Sequence, residues 1–498
     1  MRPERFDSLL RNARITGGAD LPMDVLLRAG RIAKIAPSIA DADAGDAEQI
    51  DLDGRFLGPG MWDAHVHFAL WARTRRRFHV GGAGSAAEVC AMVGRRVESE
   101  PANPDTLVGV GFRDALWPDV PTTQALDAAS PHRPVVLISG DVHCCWVNTA
   151  AERHYGLAHS GLLRETEAFD LQRKLEVEPD DEERAYAVEA GAAAAARGTV
   201  GIVDLEMADN MRLWVRNTAQ GLGLLRVHAG FYEEMFDTMV ERGVRTGDVV
   251  EGTSGLVTVG PLKIITDGSL NTKTAYCHDA YPGTADHGVI TVPPNDLEDL
   301  LDRATQHGFE VAVHAIGDLA NTFALDAFAT SGARGTIEHA QLVQPKDLER
   351  FAQLGVTASV QPEHAMDDRD TADVLWAGRT GRSFPFADLH RAGARIALGS
   401  DAPVATLDPW ITFAAAVSRS RDGREPWHPE QALTRQAALF ASTYGKRVEE
   451  GCVADLVVTE ENPLTADPEV LRRMPVAATL VGGAFTHSRL EEVGALAE

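Results

Sequence analysis

Two histidines one residue apart, His65 and His67 in GMWDAHVHF, are the first residues in this chain that suggest chemistry. On a β-strand the two-residue side-chain period puts both imidazoles on one face, where two neutral nitrogens can meet one divalent cation. Alone, the pair is weak evidence, since histidines also pack and cap. Three further residues change its weight: His314 in VAVHAIGD, His339 in TIEHAQ and Asp401 in ALGSDAP each sit where an apolar run gives way to a polar loop. Four histidines and a carboxylate are a donor set for zinc, iron or manganese. They predict a divalent metal, with zinc the leading candidate, as one or two ions. The competing reading, separately hydrogen-bonded histidines at strand and helix ends, loses ground once the five are taken together.

Lys263 in GPLKIITDGS adds a conditional ligand. An ammonium has no lone pair for a metal, whereas a carbamate formed from the amine and carbon dioxide ends in two anionic oxygens that can bridge two cations. Unmodified, the same lysine would sit at a core edge or face a substrate carboxylate. Around this set, His143 and Trp146 in DVHCCW, and Gln361 and His364 in SVQPEH, are candidate substrate contacts. Packing for Trp146 and loop-shaping hydrogen bonds for Gln361 and His364 are their structural alternatives. Asp318 reads either as a support for the His314 ring or as a helix cap, and Asp267 either as a tight turn with Gly268 or as a residue that orients a ligand. Cys144 and Cys145 carry no pattern of a catalytic thiol.

The elements that must position these residues read as β/α units. GIVDLEM, LKIITDG, FEVAVHAIGD, GTIEHAQL, GVTASVQPEH and RIALGSDAP are short apolar strands, separated by helical stretches such as LEDLLDRATQHG and PKDLERFAQLG. Polar residues at several strand ends favour a (β/α)₈ TIM barrel, whose chemistry collects at the C-terminal mouth, over an open sheet. GGAGS at Gly81–Ser85 lacks the dinucleotide spacing and reads as a loop. Strand-like segments near both termini, LLRNARI, DVLLRAGRIAKIAP, CVADLVVTE and VAATLVGGAFTH, predict a small composite β-sandwich built from residues 1–57 and 442–498, flanking a barrel over 58–441. An elaboration near 68–160 is expected to cover the mouth. Its basic run WARTRRRF is either a binding patch or a solvated helix face.

Composition narrows the function. The formal charge of −26 argues against a nucleic-acid surface and favours a small-molecule substrate, without describing the pocket. No apolar run is long enough for a membrane span, and the first residues lack the apolar stretch of a leader. Five scattered cysteines form neither a disulfide framework nor a metal knuckle, so a reducing, cytoplasmic setting is expected, with a homo-oligomer left open.

The blocks FLGPGMWDAHVH, SGDVHCCWVNTAA, LKIITDGSLNTKTA, VAVHAIGDLAN, TIEHAQLV, ASVQPEHAMDD, ALGSDAPV and GCVADLVV, in this order along nearly the whole chain, resemble the amidohydrolase superfamily. The branch is the one containing N-substituted formamide deformylase and related metal-dependent hydrolases. The resemblance implies strand-1 ligands at His65 and His67, strand-5 and strand-6 ligands at His314 and His339, and a strand-8 ligand and proton carrier at Asp401. It places Lys263 where many members carry a bridging carbamylated lysine. Valine and paired cysteines in SGDVHCCW depart from the family pattern, which leaves the substrate pocket open. The implied reaction is hydrolysis of a C–N bond in a small amide, formamide or cyclic amide. A deaminase of the same superfamily and a noncatalytic metal-binding scaffold are the alternatives.

Overall fold

A computed structural model describes residues 7–158, 161–175, 180–219 and 222–490. Those parts of the sequence-based expectations that fall on 1–6, 159–160 and 491–498 lie outside the described residues.

Eight strands form one all-parallel sheet in sequential order: β1 (Met61–Val66), β2 (Thr199–Asp204), β3 (Arg226–Tyr232), β4 (Val257–Ile265), β5 (Val311–Ala315), β6 (Gly335–His339), β7 (Thr357–Val360) and β8 (Arg395–Leu398). The sheet closes on itself just past β8. The Asp401 amide donates to the His65 carbonyl at 2.7 Å, the His67 amide donates to the Ala402 carbonyl at 2.8 Å, and Val66 bridges Ala402 in parallel. This is the expected TIM-barrel architecture. Strands such as TVGIVD and VAVHA are buried on every residue, as strands lined by helices on one face and by the barrel interior on the other must be. Seven of the eight strands were legible in the pattern. β3, RVHAGFY, was not, because His228 and Gly230 break its apolar run.

Both ends of the chain build a second, eight-stranded sheet. Phe56–Pro59 pairs antiparallel with Leu456–Thr459, which joins the N-terminal strands (Ser8–Ile15, Pro22–Arg28, Arg31–Ala36, Glu48–Asp51) to the C-terminal ones (Val476–Val481, Ala484–Ser488). The strands form one hydrogen-bonded sheet that forks at Ser8–Ile15, which pairs Glu48–Asp51 along its first half and Phe56–Pro59 at its end. Alternation puts Leu10, Val25 and Ile32 on a face packed with Leu456, Val458 and Leu480, while Leu9 and Leu26 face the short helix Asp41–Ala44.

Between β1 and β2 the chain makes a five-stranded mixed sheet of Phe78–His79, Leu107–Phe112, Val135–Ser139, Cys144–Val147 and Leu162–Arg164. This sheet is a layer with its own apolar cores on its two faces. The helix Ala86–Ser99 packs on it, its first turn capped by the Ser85 hydroxyl accepting from the Glu88 amide, which accounts for the serine of GGAGS. The basic run proves to be a paired helix face: Arg73 bonds Glu183 at 2.7 Å, Arg76 bonds Glu189, and Arg75 lies over the Trp71 ring. Among the described residues no helix is long and apolar enough to cross a membrane.

Candidate metal centre

Strand ends bring the sequence candidates to one cavity at the barrel mouth, lined by His65, His67, Lys263, His314, His339 and Asp401, with His143 from the inserted sheet. Ring centroids lie 5.0 Å apart for His65 and His339, 4.5 Å for His314 and His339, and 5.6 Å for His65 and His67. One donor atom each from His65, His339 and Asp401 falls within 4.8 Å of the other two, so a single cation can be reached by all three. Asp401 Oδ1 lies 3.4 Å from His65 Nε2 and 3.5 Å from His67 Nε2. Lys263 Nζ stands 3.4 Å from His65 Nε2.

The backbone at this centre takes conformations that side chains rarely adopt. His339 has φ 74° and Asp401 φ 57°, both left-handed, so each side chain turns off its strand toward the cavity. Gly399 supplies the clearance between β8 and β1: a Cβ there would stand 2.7 Å from the His65 amide nitrogen. The amides of His65 and Ser400 both donate to Asp63 Oδ1, at 3.2 and 2.8 Å, which clamps the two strands together. Burial, only partly opposed by bonds from Ser400 and His65, raises the Asp63 carboxyl to about 7. On β2 and its loop, Asp204 and Glu206 accept from the amides of Phe68 and Leu70 and so anchor the helix that begins just after His67.

The donors fit a divalent cation. Burial, then the positive Lys263, lowers the His65 pKa to about 4, and burial with His314 holds His339 well below the usual imidazole range. Both rings therefore keep a lone pair. Burial opposes charge on Asp401, but His65, a hydrogen bond from His67, His339 and His364 together hold its carboxyl well below the usual range. His339 Nδ1 is buried without a hydrogen-bond partner, as an atom reserved for a cation would be. Two neutral nitrogens and an anionic oxygen at one point constitute a metal-binding site.

A sequence model described as the amidohydrolase family matches residues 48–487. The chain belongs to this family. It is 26% identical to the putative amidohydrolase YtcJ of Bacillus subtilis, covering 89% of this chain and 91% of that protein, and 26% identical to the N-substituted formamide deformylase of Arthrobacter pascens, covering 93% and 95%. The protein LONG AFTER FAR-RED 3 of Arabidopsis thaliana is 28% identical, covering 88% and 82%. The structure is similar to that of an uncharacterized metal-dependent hydrolase from Pyrococcus horikoshii, with a TM-score of 0.76, 25% identity, and coverage of 93% of this chain and 99% of that one. Family membership and the His65–His339–Asp401 cluster together make this amidohydrolase a metal-dependent hydrolase.

The remaining candidates separate. His143, on the loop that follows Val135–Ser139, donates through Nδ1 to Glu165 at 2.7 Å and stands 5.8 Å, ring to ring, from His314. His364 lines a small compartment beside the cavity, with Nε2 3.8 Å from Asp401 Oδ2. Gln361 is buried just behind, its Nε2 donating to the Ser359 carbonyl. Trp146 is a correction: it lies in the core of the inserted sheet against Phe112 and Trp117, with its indole N–H donating to the Thr122 carbonyl, and does not line the cavity. A large ring on a strand with apolar neighbours on both sides goes to the core.

Asp318 neither supports His314 nor caps a helix. It accepts from the His278 amide, Gln344 and Arg382, while Gly317 occupies the cap position. Asp267 does the buttressing instead, accepting from the amides of Tyr276, Ile316 and Gly317 and lying 3.4 Å from His314 Nε2. Cys144 and Cys145 are buried, and burial pushes the Cys145 thiol up to about 12, far from a nucleophilic thiolate.

Sequence reasoning missed Asp63, Asp141, Glu338 and Gln341. Glu338 had a signal, a carboxylate immediately before His339 in TIEHAQ, and in the structure it accepts from His65 Nδ1 at 2.7 Å. Asp141 lies two residues before His143; it accepts from the Ser139 and Ser269 hydroxyls and ties the inserted loop to the segment after β4.

Proposed function

We propose that the protein hydrolyses a C–N bond of a small amide, formamide or cyclic amide. The observation that carries this reading is the ionised Asp401 carboxylate lying within 3.5 Å of two ring nitrogens at the cation site, where one group can both touch the metal and move protons. His67 and His314 extend the ligand set in this reading, which favours zinc. Bound there, the ion supplies Lewis acidity and lowers the pKa of water near neutral pH.

The chain's own residues do the rest. Asp401 takes a proton from the attacking water and returns it to the departing nitrogen, acting first as base and then as acid. Burial lowers the Lys263 pKa below its ordinary value, against the opposing pull of Glu338 and Asp401, which favours the neutral amine that carbon dioxide can modify. Carbamylated, Lys263 would hold a second ion. The walls beyond the cluster, Leu70, Val142, Phe169, Met207 and Ile265, exclude water and suit an apolar substituent. A reducing, cytoplasmic setting accords with five unpaired cysteines.

The reading is tested by following amine and carboxylate release together from formamides, N-acyl amines and cyclic amides with metal-loaded protein. Equimolar release of both supports it. Ammonia without a carboxylate assigns a deaminase, and stoichiometric metal without turnover assigns a scaffold.

A further inference from the structure

We infer that Gln341 and His364 form a second recognition site beside the metal cluster, for a neutral amide-like group, a carboxamide or ureido, that the substrate carries near its scissile bond. The inference rests on the hydrolytic reading above and adds to it what the substrate must contain. A small compartment of about 30 Å³ opens next to the main cavity and shares Asp141, His143, His314, His339 and Asp401 with it. Gln341 and His364 line it, 3% and 5% exposed.

Two of their polar atoms are buried without a hydrogen-bond partner: Gln341 Oε1 and His364 Nε2. Buried polar atoms are almost always paired, so two orphans on adjacent side chains facing one compartment mark a place for a ligand. The atom types say which ligand. The Gln341 amide donates through Nε2 to His364 Nδ1 in a long, 3.5 Å contact, which makes Nδ1 the ring's acceptor and Nε2 its donor. Nε2 is 3.8 Å from Asp401 Oδ2, beyond hydrogen-bond range. The pair thus offers one donor, His364 Nε2–H, beside one acceptor, Gln341 Oε1.

A carbonyl oxygen and an N–H carried together satisfy both. A carboxylate gives Oε1 no proton and meets Asp141, Asp368 and Asp401, while the two cations of the compartment are already paired, Arg113 with Asp367 and Asp368 and His143 with Glu165. An ammonium leaves the imidazole donor unpaired, and an alkyl group leaves both atoms unpaired. Size agrees: a water-sized sphere needs about 10–15 Å³, so the compartment admits a functional group of a few atoms and not a ring.

The test uses metal-loaded protein and three amides sharing a benzyl group on the amine side, suited to Phe169 and Met207: N-benzylmalonamide, its isopropyl isostere N-benzyl-3-methylbutanamide, and N-benzylmalonamic acid. Calorimetric Kd and kcat/KM are measured for each, with Gln341→Leu as the variant and metal content as its control. The carboxamide is expected to bind at least about tenfold tighter than the isostere and the acid, the worth of one well-made hydrogen bond, and Gln341→Leu to erase that preference at unchanged metal content. Equal Kd values in the unmodified protein overturn the inference, as does tightest binding of the acid or an unchanged preference in the variant. Should the variant not fold, the ranking in the unmodified protein decides. A carboxamide preference in Kd with no cleavage of any of the three keeps this site and counts against the hydrolytic reading.

Discussion

His65 Nδ1 donates to Glu338 Oε2 across 2.7 Å, between two side chains that are both fully buried. The contact joins β1 to β6 inside the barrel. It fixes the proton on Nδ1, leaves Nε2 free to face Asp401 and Lys263, and makes the imidazole a better donor toward a cation. The Thr336 hydroxyl donates to Glu338 Oε1 and keeps the carboxylate in place.

Glu338→Gln is therefore expected to weaken metal binding about 10–100-fold while leaving a folded protein, since an amide keeps the size but not the charge. A metal titration followed by calorimetry reads this directly. An unchanged affinity would mean that the ring is oriented by its packing alone.

Asp401→Asn is expected to lower kcat about 10²–10⁴-fold, the usual worth of a positioned acid–base group. Measuring kcat at saturating metal, with bound metal assayed on the same samples, separates proton transfer from ligation. Near-normal turnover would remove Asp401 as the proton carrier.

For Lys263→Ala the expectation is loss of one bound metal equivalent and of most turnover, with partial recovery when a small carboxylic acid is added to fill the anionic position. The physical reason is that two cations about 3.5–4 Å apart need an anionic bridge. Full metal content and activity in the variant would leave Lys263 without a bridging role.

A fourth expectation concerns pH and the His143–Glu165 pair. Burial works against charge on His143, and Glu165 more than offsets it, raising the imidazole to about 9. For Glu165 burial again opposes, and His143 with Thr274 and Thr272 brings the carboxyl down to about 2. A raised histidine stabilises fully below its unfolded value near 6.5 and loses that contribution as pH rises through about 9. A lowered glutamate contributes above about 4.5 and loses it as pH falls through about 2. The pair is thus worth most between about pH 4.5 and 6.5. Thermal melts from pH 6.5 to 9.5 should show a fall in Tm that is steeper in the wild type than in Glu165→Gln; identical slopes would contradict the ion pair.

Much of this site was legible because a barrel converts sequence order into geometry: an apolar run that ends in a polar loop places its last residues at the mouth, so His314, His339 and Asp401 could be gathered without coordinates. The composite sheet was legible for a similar reason, since strand-like segments at both ends have only each other to pair with. What escaped depended on long-range register. Nothing local in GTIEH says that Glu338 faces His65 across the barrel, nor that His339 and Asp401 take positive φ, a conformation that residue type does not announce. Trp146 escaped differently: it sits three residues from His143, yet strand alternation within the inserted sheet sends it to that sheet's core.

Hydrolysis is expected to depend on a cation held by His65, His339 and Asp401. Its most direct test is to strip the protein of metal with a chelator and restore zinc in steps, recording bound metal and amide hydrolysis on each sample. Turnover is expected to be absent in the stripped protein, to rise in proportion to bound metal until the site is filled, and not to be restored in His339→Ala. Amide hydrolysis that persists at full rate in the metal-free protein would contradict it.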